Sequence, residues 1–343
     1  MLSSVRQPAI ARRSLSMLMV GLVLGTLALV GCLFASVALG AADITPLEVW
    51  QSLVNFDETS TNHLIIRTVR LPRSLVALLV GAAMAIAGAT MQGLTCNPLA
   101  SPSILGVSAG AAFAVVVSTS LWGVNDPMTQ ASLAMIGGAS TAVLVYLFAS
   151  FAPGGITPLN LTLSGTVFAT LISTLTTSLL LLNQQTLEQV RFWLAGSVAG
   201  GSMEVLQHVF PILLLGMALS LVLARNLTVL SLGEPIAQGL GQNTAWVKGL
   251  GTLTVVLLVG SSVAMAGPIG FIGLVVPHLV RFFAGIDYRW VLPYSALMGG
   301  ILLIIADILA RLVIRPQEVP VGLIMPLLGA PFFIYLIRTK LKR

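Results

Sequence analysis

From Leu15 to the C-terminal tail, one apolar run of about twenty residues follows another, and this pattern constrains the chain more than any other feature. Coiled into a helix, about 20 apolar residues cover a hydrocarbon core of about 30 Å. Of the 343 residues, 57% are hydrophobic and 8% are charged, against about 25% charged in ordinary soluble domains. With a mean hydropathy of +1.00, the chain has too little polar surface to cover a water-soluble fold. A membrane β-barrel needs alternating segments of about ten residues, and these are absent. The fold class is therefore an all-α polytopic membrane protein.

Ten spans can be drawn, at residues 15–39, 71–93, 102–121, 129–150, 159–182, 205–225, 246–264, 267–284, 291–312 and 319–337. The seventh and eighth are nearly continuous and are separated at Met265-Ala266-Gly267-Pro268, where glycine and proline turn the chain. An even count places both termini on one side. The basic start (Arg6, Arg12, Arg13) and tail (Arg338, Lys340, Lys342, Arg343) put that side in the cytoplasm. On this topology eleven of the 17 Lys and Arg residues fall inside and six outside, while most acids fall outside. The first run exceeds the core of about 7–15 residues typical of a signal peptide, so it reads as a retained span, although Ala38 to Ala42 offers small residues for cleavage.

Motif absences limit the chemistry. The chain has no GxxxxGK[ST] phosphate loop, no HExxH, and no gathering of His, Cys or carboxylates at ligand spacing. His63, His208 and His278 lie in separate segments, and Cys32 and Cys96 form neither a disulfide framework nor a metal pattern. No catalytic residue, metal site or cofactor is expected. The net charge of +6 is thinly spread, which fits membrane orientation rather than nucleic acid. If transport consumes ATP, another chain hydrolyses it.

Four features carry functional readings. Arg67, Arg70 and Arg73 lead into the second span on the side the topology makes external, where basic residues are scarce; they form either a pad for an acidic partner or a group that snorkels or pairs with Asp57 and Glu58. Asp307 and Arg311, one turn apart in the ninth span, can pair as an intramembrane ion pair, and a proton-coupled carrier is the competing use of such an acid. In the fifth span, Thr166, Thr170, Ser173 and Thr177 share one helix face, which either lines a wet pathway or satisfies its own carbonyls and glues helices. The inside loop at residues 227–247 contains Gly233, Glu234, Pro235, Ala237, Leu240 and Gly241. Glu234 and Pro235 suit a first helical turn, and Gly239 and Gly241 suit its end, giving either a handle for a cytoplasmic motor or an ordinary loop helix.

A family likeness runs through Arg70-Leu71-Pro72-Arg73, Asn97-Pro98-Leu99-Ala100-Ser101-Pro102, Leu105-Gly106-Val107, and the stretch from Gly267 to His278. It continues through Ala306-Asp307-Ile308-Leu309-Ala310-Arg311, Glu318-Val319-Pro320-Val321-Gly322 and Gly329-Ala330-Pro331-Phe332-Phe333. These motifs resemble the FecCD-type permeases of ABC importers for iron-siderophores, ferric citrate, haem and cobalamin. The resemblance implies one permease domain over residues 1–343 with the type II ABC importer fold, in a bacterial inner membrane. It also implies a second permease subunit, identical or paralogous, two cytoplasmic ATP-binding subunits, and a periplasmic or lipid-anchored solute-binding protein. In the cobalamin relative, arginines matching Arg70, Arg73 and Arg311 receive glutamates of the binding protein. The segment at 233–241 matches the coupling helices that enter the ATPase. The fifth span, the helix after it around Gln189 to Gly196, and the tenth span resemble the pathway lining. The implied cargo is a ferric siderophore or ferric citrate, with cobalamin or haem as the alternative within the family.

Overall fold

The computed structural model describes residues 15–40, 44–314 and 317–340, without the side chains at 332–333, 335–337 and 339–340. The terminal basic residues Arg6, Arg12, Arg13, Lys342 and Arg343, together with Asp43, Arg315 and the side chains of Phe332, Phe333 and Lys340, lie outside that description. Ten apolar helices occur among the described residues, at the ten positions the apolar runs mark. They are α1 (Leu15–Ala38), α4 (Leu71–Leu94), α5 (Val107–Trp122), α6 (Pro127–Phe151), α7 (Pro158–Leu182), α9 (Met203–Leu230), α11 (Thr244–Ala266), α12 (Ile272–Ala284), α13 (Tyr288–Leu312) and α14 (Val321–Lys340). Four short helices connect them: α2 (Pro46–Val54), α3 (Thr61–Ile65), α8 (Gln184–Leu194) and α10 (Glu234–Gly239).

The bundle is built around α4, which packs on α13, α11, α12 and α9. Lipid tails are as apolar as leucine side chains, so helices in a membrane associate through close packing, and small residues permit it. The buried face of α4 is rich in them: Gly81, Ala82, Ala83, Ala85, Ala87, Gly88 and Ala89. A Cβ on Gly88 would run into the Gly273 carbonyl of α12, and one on Gly81 into the Gly299 carbonyl of α13. By contrast, α1 and α7 are mostly exposed along their length, as expected of helices that face lipid or another subunit.

Three spans depart from the continuous helices drawn from sequence. The third span opens with a 3-10 turn at Pro102–Leu105, which left-handed Gly106 separates from α5. The eighth begins with an irregular stretch at 267–271 and only then becomes α12, whose 13 residues span about 20 Å. Gly267 and Phe271 adopt positive φ, outside the helical region, so the regular helix begins only after Phe271. Non-helical backbone at membrane depth is tolerated where protein surrounds it. Here Ala266 O accepts from Ser197 N at 2.8 Å, and Gly267 abuts the Trp193 carbonyl.

The second span starts earlier than its apolar run. α3 passes through one π turn, Ile66–Arg70, directly into α4. Leu71 N donates to Ile66 O, five residues back. In an α-helix the Pro72 ring would clash with the carbonyl four residues earlier, and widening the turn relieves that clash.

Candidate functional site

At the end of the bundle where α1 stops and α4 starts, three arginines converge on one carboxylate and one helix terminus. Asp307 on α13 is fully buried. It accepts from Arg73 Nη2 at 2.8 Å, from Arg73 Nε at 3.1 Å, and from Arg311 Nη2 at 2.8 Å. Arg73 Nη1 donates to Glu318 Oε2 at 2.7 Å, linking the lead-in of α14 to α4. A charge this deep is tolerable because each ion has an opposite partner and further hydrogen bonds.

The other donors of the cluster cap α1. The last carbonyls of a helix lack partners within it, and arginine can supply them. Arg70 Nη1 donates to Val37 O and Ala38 O at 2.8 and 2.7 Å. Arg311 Nη1 donates to Ser36 O and Leu39 O, both at 2.9 Å, and its Nη2 donates to Ser36 Oγ at 2.7 Å. Ser36 Oγ also lies 2.8 Å from Ser74 Oγ of α4. Arg70, Arg73 and Arg311 are thus all buried, and the guanidinium bonds described here go to this chain's own acceptors. None is presented as the exposed fork that a docking pad would suggest. Arg67 instead stacks over Phe56, 4.5 Å from the ring centre.

Beside the cluster lies a cavity of about 570 Å³ walled by Gln189, Trp193, Ser197, Met265 and the stretch Glu318-Val319-Pro320. It brings the end of α8 against the start of α14. Val319 N donates to Ala310 O at 3.2 Å and Gly322 N to Gly196 O at 2.9 Å, fastening this wall.

On α7, Thr166, Thr170, Ser173 and Thr177 are all exposed. Thr170, Ser173 and Thr177 line an open groove of about 500 Å³ with Thr174 and Ser178; Thr166 lies outside it. The hydroxyls of Thr166, Thr170 and Thr177 donate to carbonyls four residues back at 2.8–2.9 Å. Such self-satisfied hydroxyls still offer oxygen lone pairs, so both readings of this face meet in one surface.

At the opposite end, Gly233 and Gly241, both at positive φ, bracket α10. Glu234 Oε1 accepts from Lys248 Nζ at 2.6 Å and from Thr244 Oγ1 at 3.1 Å. Hydrogen bonding to Lys248, foremost, and to Thr244 holds the Glu234 carboxyl below its usual range. Ala237 is buried, whereas Pro235, Ile236 and Leu240 face outward. α10 therefore ties its acid to α11 and leaves Pro235 and Ile236, with Leu240 just past its end, exposed.

A second polar knot at this end had no sequence signal beyond the positions of its members. Arg281 on α12 donates to Gln92 Oε1 and to the Tyr288 hydroxyl, while Gln92 Nε2 donates to Gly273 O. Tyr288 N donates to Thr228 Oγ1, so α4, α9, α12 and α13 meet there. His278 is buried edge-on to Phe282. Among the described residues, no group of three or more His, Cys, Asp or Glu side chains is gathered as a metal site.

The model of the FecCD transport family matches residues 27–339. The chain belongs to that family. FecCD relatives include the probable siderophore transport system permease protein YfiZ of Bacillus subtilis, 46% identical over 90% of this chain and 92% of the relative. The iron(3+)-hydroxamate import system permease protein FhuB of the same organism is 44% identical over 90% of this chain and 80% of the relative. The Fe(3+) dicitrate transport system permease protein FecD of Escherichia coli is 37% identical over 91% of this chain and 96% of the relative. A chain solved in an inward-facing conformation, of the metal-chelate type of ABC transporter, superposes with a TM-score of 0.81 at 32% identity, covering 95% of this chain and 99% of that one. This FecCD protein is thus a multi-pass membrane permease of the ABC transporter class.

Proposed function

We propose that the protein is the membrane-spanning permease subunit of an ATP-driven importer that moves a ferric siderophore or ferric citrate into the cytoplasm. The observation that carries this reading is family membership over nearly the whole chain, with iron-complex permeases among relatives at 37–46% identity. In this proposal residues 1–343 form one permease domain in the inner membrane, with both termini cytoplasmic. A second permease subunit completes the pathway, two ATP-binding subunits sit below, and a periplasmic or lipid-anchored binding protein delivers cargo from above.

Each end has a task in the scheme. The α10 end faces the cytoplasm, and its aliphatic face, Ile236 and Leu240, enters the ATPase, with Gly233, Glu234, Pro235, Ala237 and Gly241 setting its pose. The arginine end faces outward and receives carboxylates of the binding protein. Arg73 is the group an incoming carboxylate reaches, while Arg70 and Arg311 hold the end of α1 that frames the contact. Such docking weakens as salt rises. The face of α7, the cavity beside α8 and the lead-in of α14 form this subunit's share of the pathway.

The rival is a proton-coupled carrier working through Asp307. The geometry is unfavourable to it, because both oxygens of the fully buried Asp307 carboxylate are already engaged by the Arg73 and Arg311 guanidiniums. Proteoliposomes containing the permease, its ATPase and the loaded binding protein separate the two. ATP-dependent accumulation that survives an uncoupler supports the importer, and uptake that needs no ATP but collapses with the proton gradient overturns it.

A further inference from the structure

Arg73 has two carboxylate partners among the described residues, and they differ in access. The Asp307 side chain is 1% exposed and the Glu318 side chain 35%. An acidic side chain arriving from outside therefore meets Arg73 where Glu318 now sits. Glu318 is also part of the wall of the 570 Å³ cavity, with Val319 and Pro320 following it directly. One ion pair thus joins the outer arginine to the cavity lining. Among the described residues the same stretch is also held by backbone bonds from Val319 N to Ala310 O and from Gly322 N to Gly196 O, and by packing of Val319 on the core.

We propose that Glu318 is a placeholder carboxylate: on docking, an acidic side chain of the binding protein replaces Glu318 on Arg73, and the released Glu318 carries residues 318–320 away from the cavity. This inference rests on the reading of the arginine end as the docking surface. Asp307 occupies Nε and Nη2 of Arg73, so loss of Glu318 strips the partner from Nη1 alone; a buried donor left unbonded is costly, and Glu318 fills that position in an undocked permease. Replacing one carboxylate by another on the same Nη1 keeps the charge-assisted bond intact throughout. The exchange makes docking itself the event that loosens the cavity wall, so an undocked permease keeps that wall tied. Glu318 acts through Arg73 and is a positioning residue, not a contact for the binding protein.

The test uses the full permease with its ATPase subunits in lipid nanodiscs, titrated with loaded binding protein. Glu318→Gln removes the competing charge and is expected to tighten docking about tenfold, the difference between a charge-assisted and a neutral hydrogen bond. Glu318→Asp keeps the competitor and is expected to dock close to native affinity. A second readout keeps Glu318 native: Val319→Cys, in a Cys32→Ser, Cys96→Ser background, should react several-fold faster with a thiol reagent once the binding protein docks. If Arg73→Gln weakens docking but Glu318→Gln does not tighten it, or if labelling at 319 ignores docking, the exchange is wrong and the docking surface stands. If Arg73→Gln docks with native affinity, the docking surface is wrong and the exchange falls with it.

Discussion

Lys248 of α11 donates to Glu234 of α10 across 2.6 Å, so the single acid of this short helix braces it against its own protein. The exposed side of this segment is left to Ile236 and Leu240, 52% and 67% exposed. Because Lys248 and Thr244 lower the folded-state pKa of Glu234, the brace is fully present above the ordinary carboxylate value of 4.5 and is lost as pH falls through the lower folded value. A spin label at Ile236→Cys should therefore be immobile at neutral pH and loosen only in acid. Glu234→Gln should be mobile throughout and lose the acid step, and an acid step retained in that variant would assign the transition to another group.

The ion pairs around Asp307 can be broken or replaced. Asp307→Asn leaves Arg73 and Arg311 buried without their shared anion and should cost about 3–5 kcal/mol. Arg311→Gln should lose a comparable amount and also strip the bonds to Ser36 and Leu39 from the end of α1, leaving Arg70 as its cap. Thermal unfolding of the purified protein in one fixed detergent checks both. Losses below about 1 kcal/mol would mean that water, not Asp307, compensates these guanidiniums.

Close contact at α4 makes a third prediction. Gly88→Leu puts a side chain where the Gly273 backbone lies, and overpacking of this kind costs about 1–3 kcal/mol or more. The expected result is a poorly folded protein on size-exclusion chromatography, whereas Gly31→Leu, at a position with open space around it, should behave as native.

Much of this architecture is legible in the sequence because apolar runs are local. Ten runs mark ten helices. The i, i+4 spacing of Asp307 and Arg311 likewise shows that they can meet. What escapes is long-range. Arg311 and the carbonyl of Ser36 are 275 residues apart, and Arg73 and Glu318 are 245 apart, so no window of sequence relates them. Positive-inside reasoning marks Arg70 and Arg73 as misplaced, yet it cannot tell an exposed pad from a buried cap. The π turn at Ile66–Arg70 follows from Pro72 and the late start of α12 from the positive φ of Gly267 and Phe271, and in both the remedy depends on the neighbours.

The face of α7 gives a further prediction. Thr170→Phe and Thr177→Phe alter exposed positions, where substitutions usually change stability by less than about 0.5 kcal/mol. If the groove is part of the pathway, both proteins should fold normally while uptake falls several-fold. Native uptake by the double variant would assign this face to lipid or to subunit packing.

Uptake of labelled iron bears most directly on the central claim. Cells lacking the gene, and cells with it restored, should be given iron as a ferric hydroxamate, another ferric siderophore and ferric citrate. The account predicts that uptake of at least one of these complexes is lost on deletion, returns with the native gene, and fails to return with Glu234→Arg, which sets two like charges against each other at the base of α10. Unchanged uptake of every iron complex, with loss of cobalamin or haem uptake instead, would contradict the assignment of an iron complex as cargo.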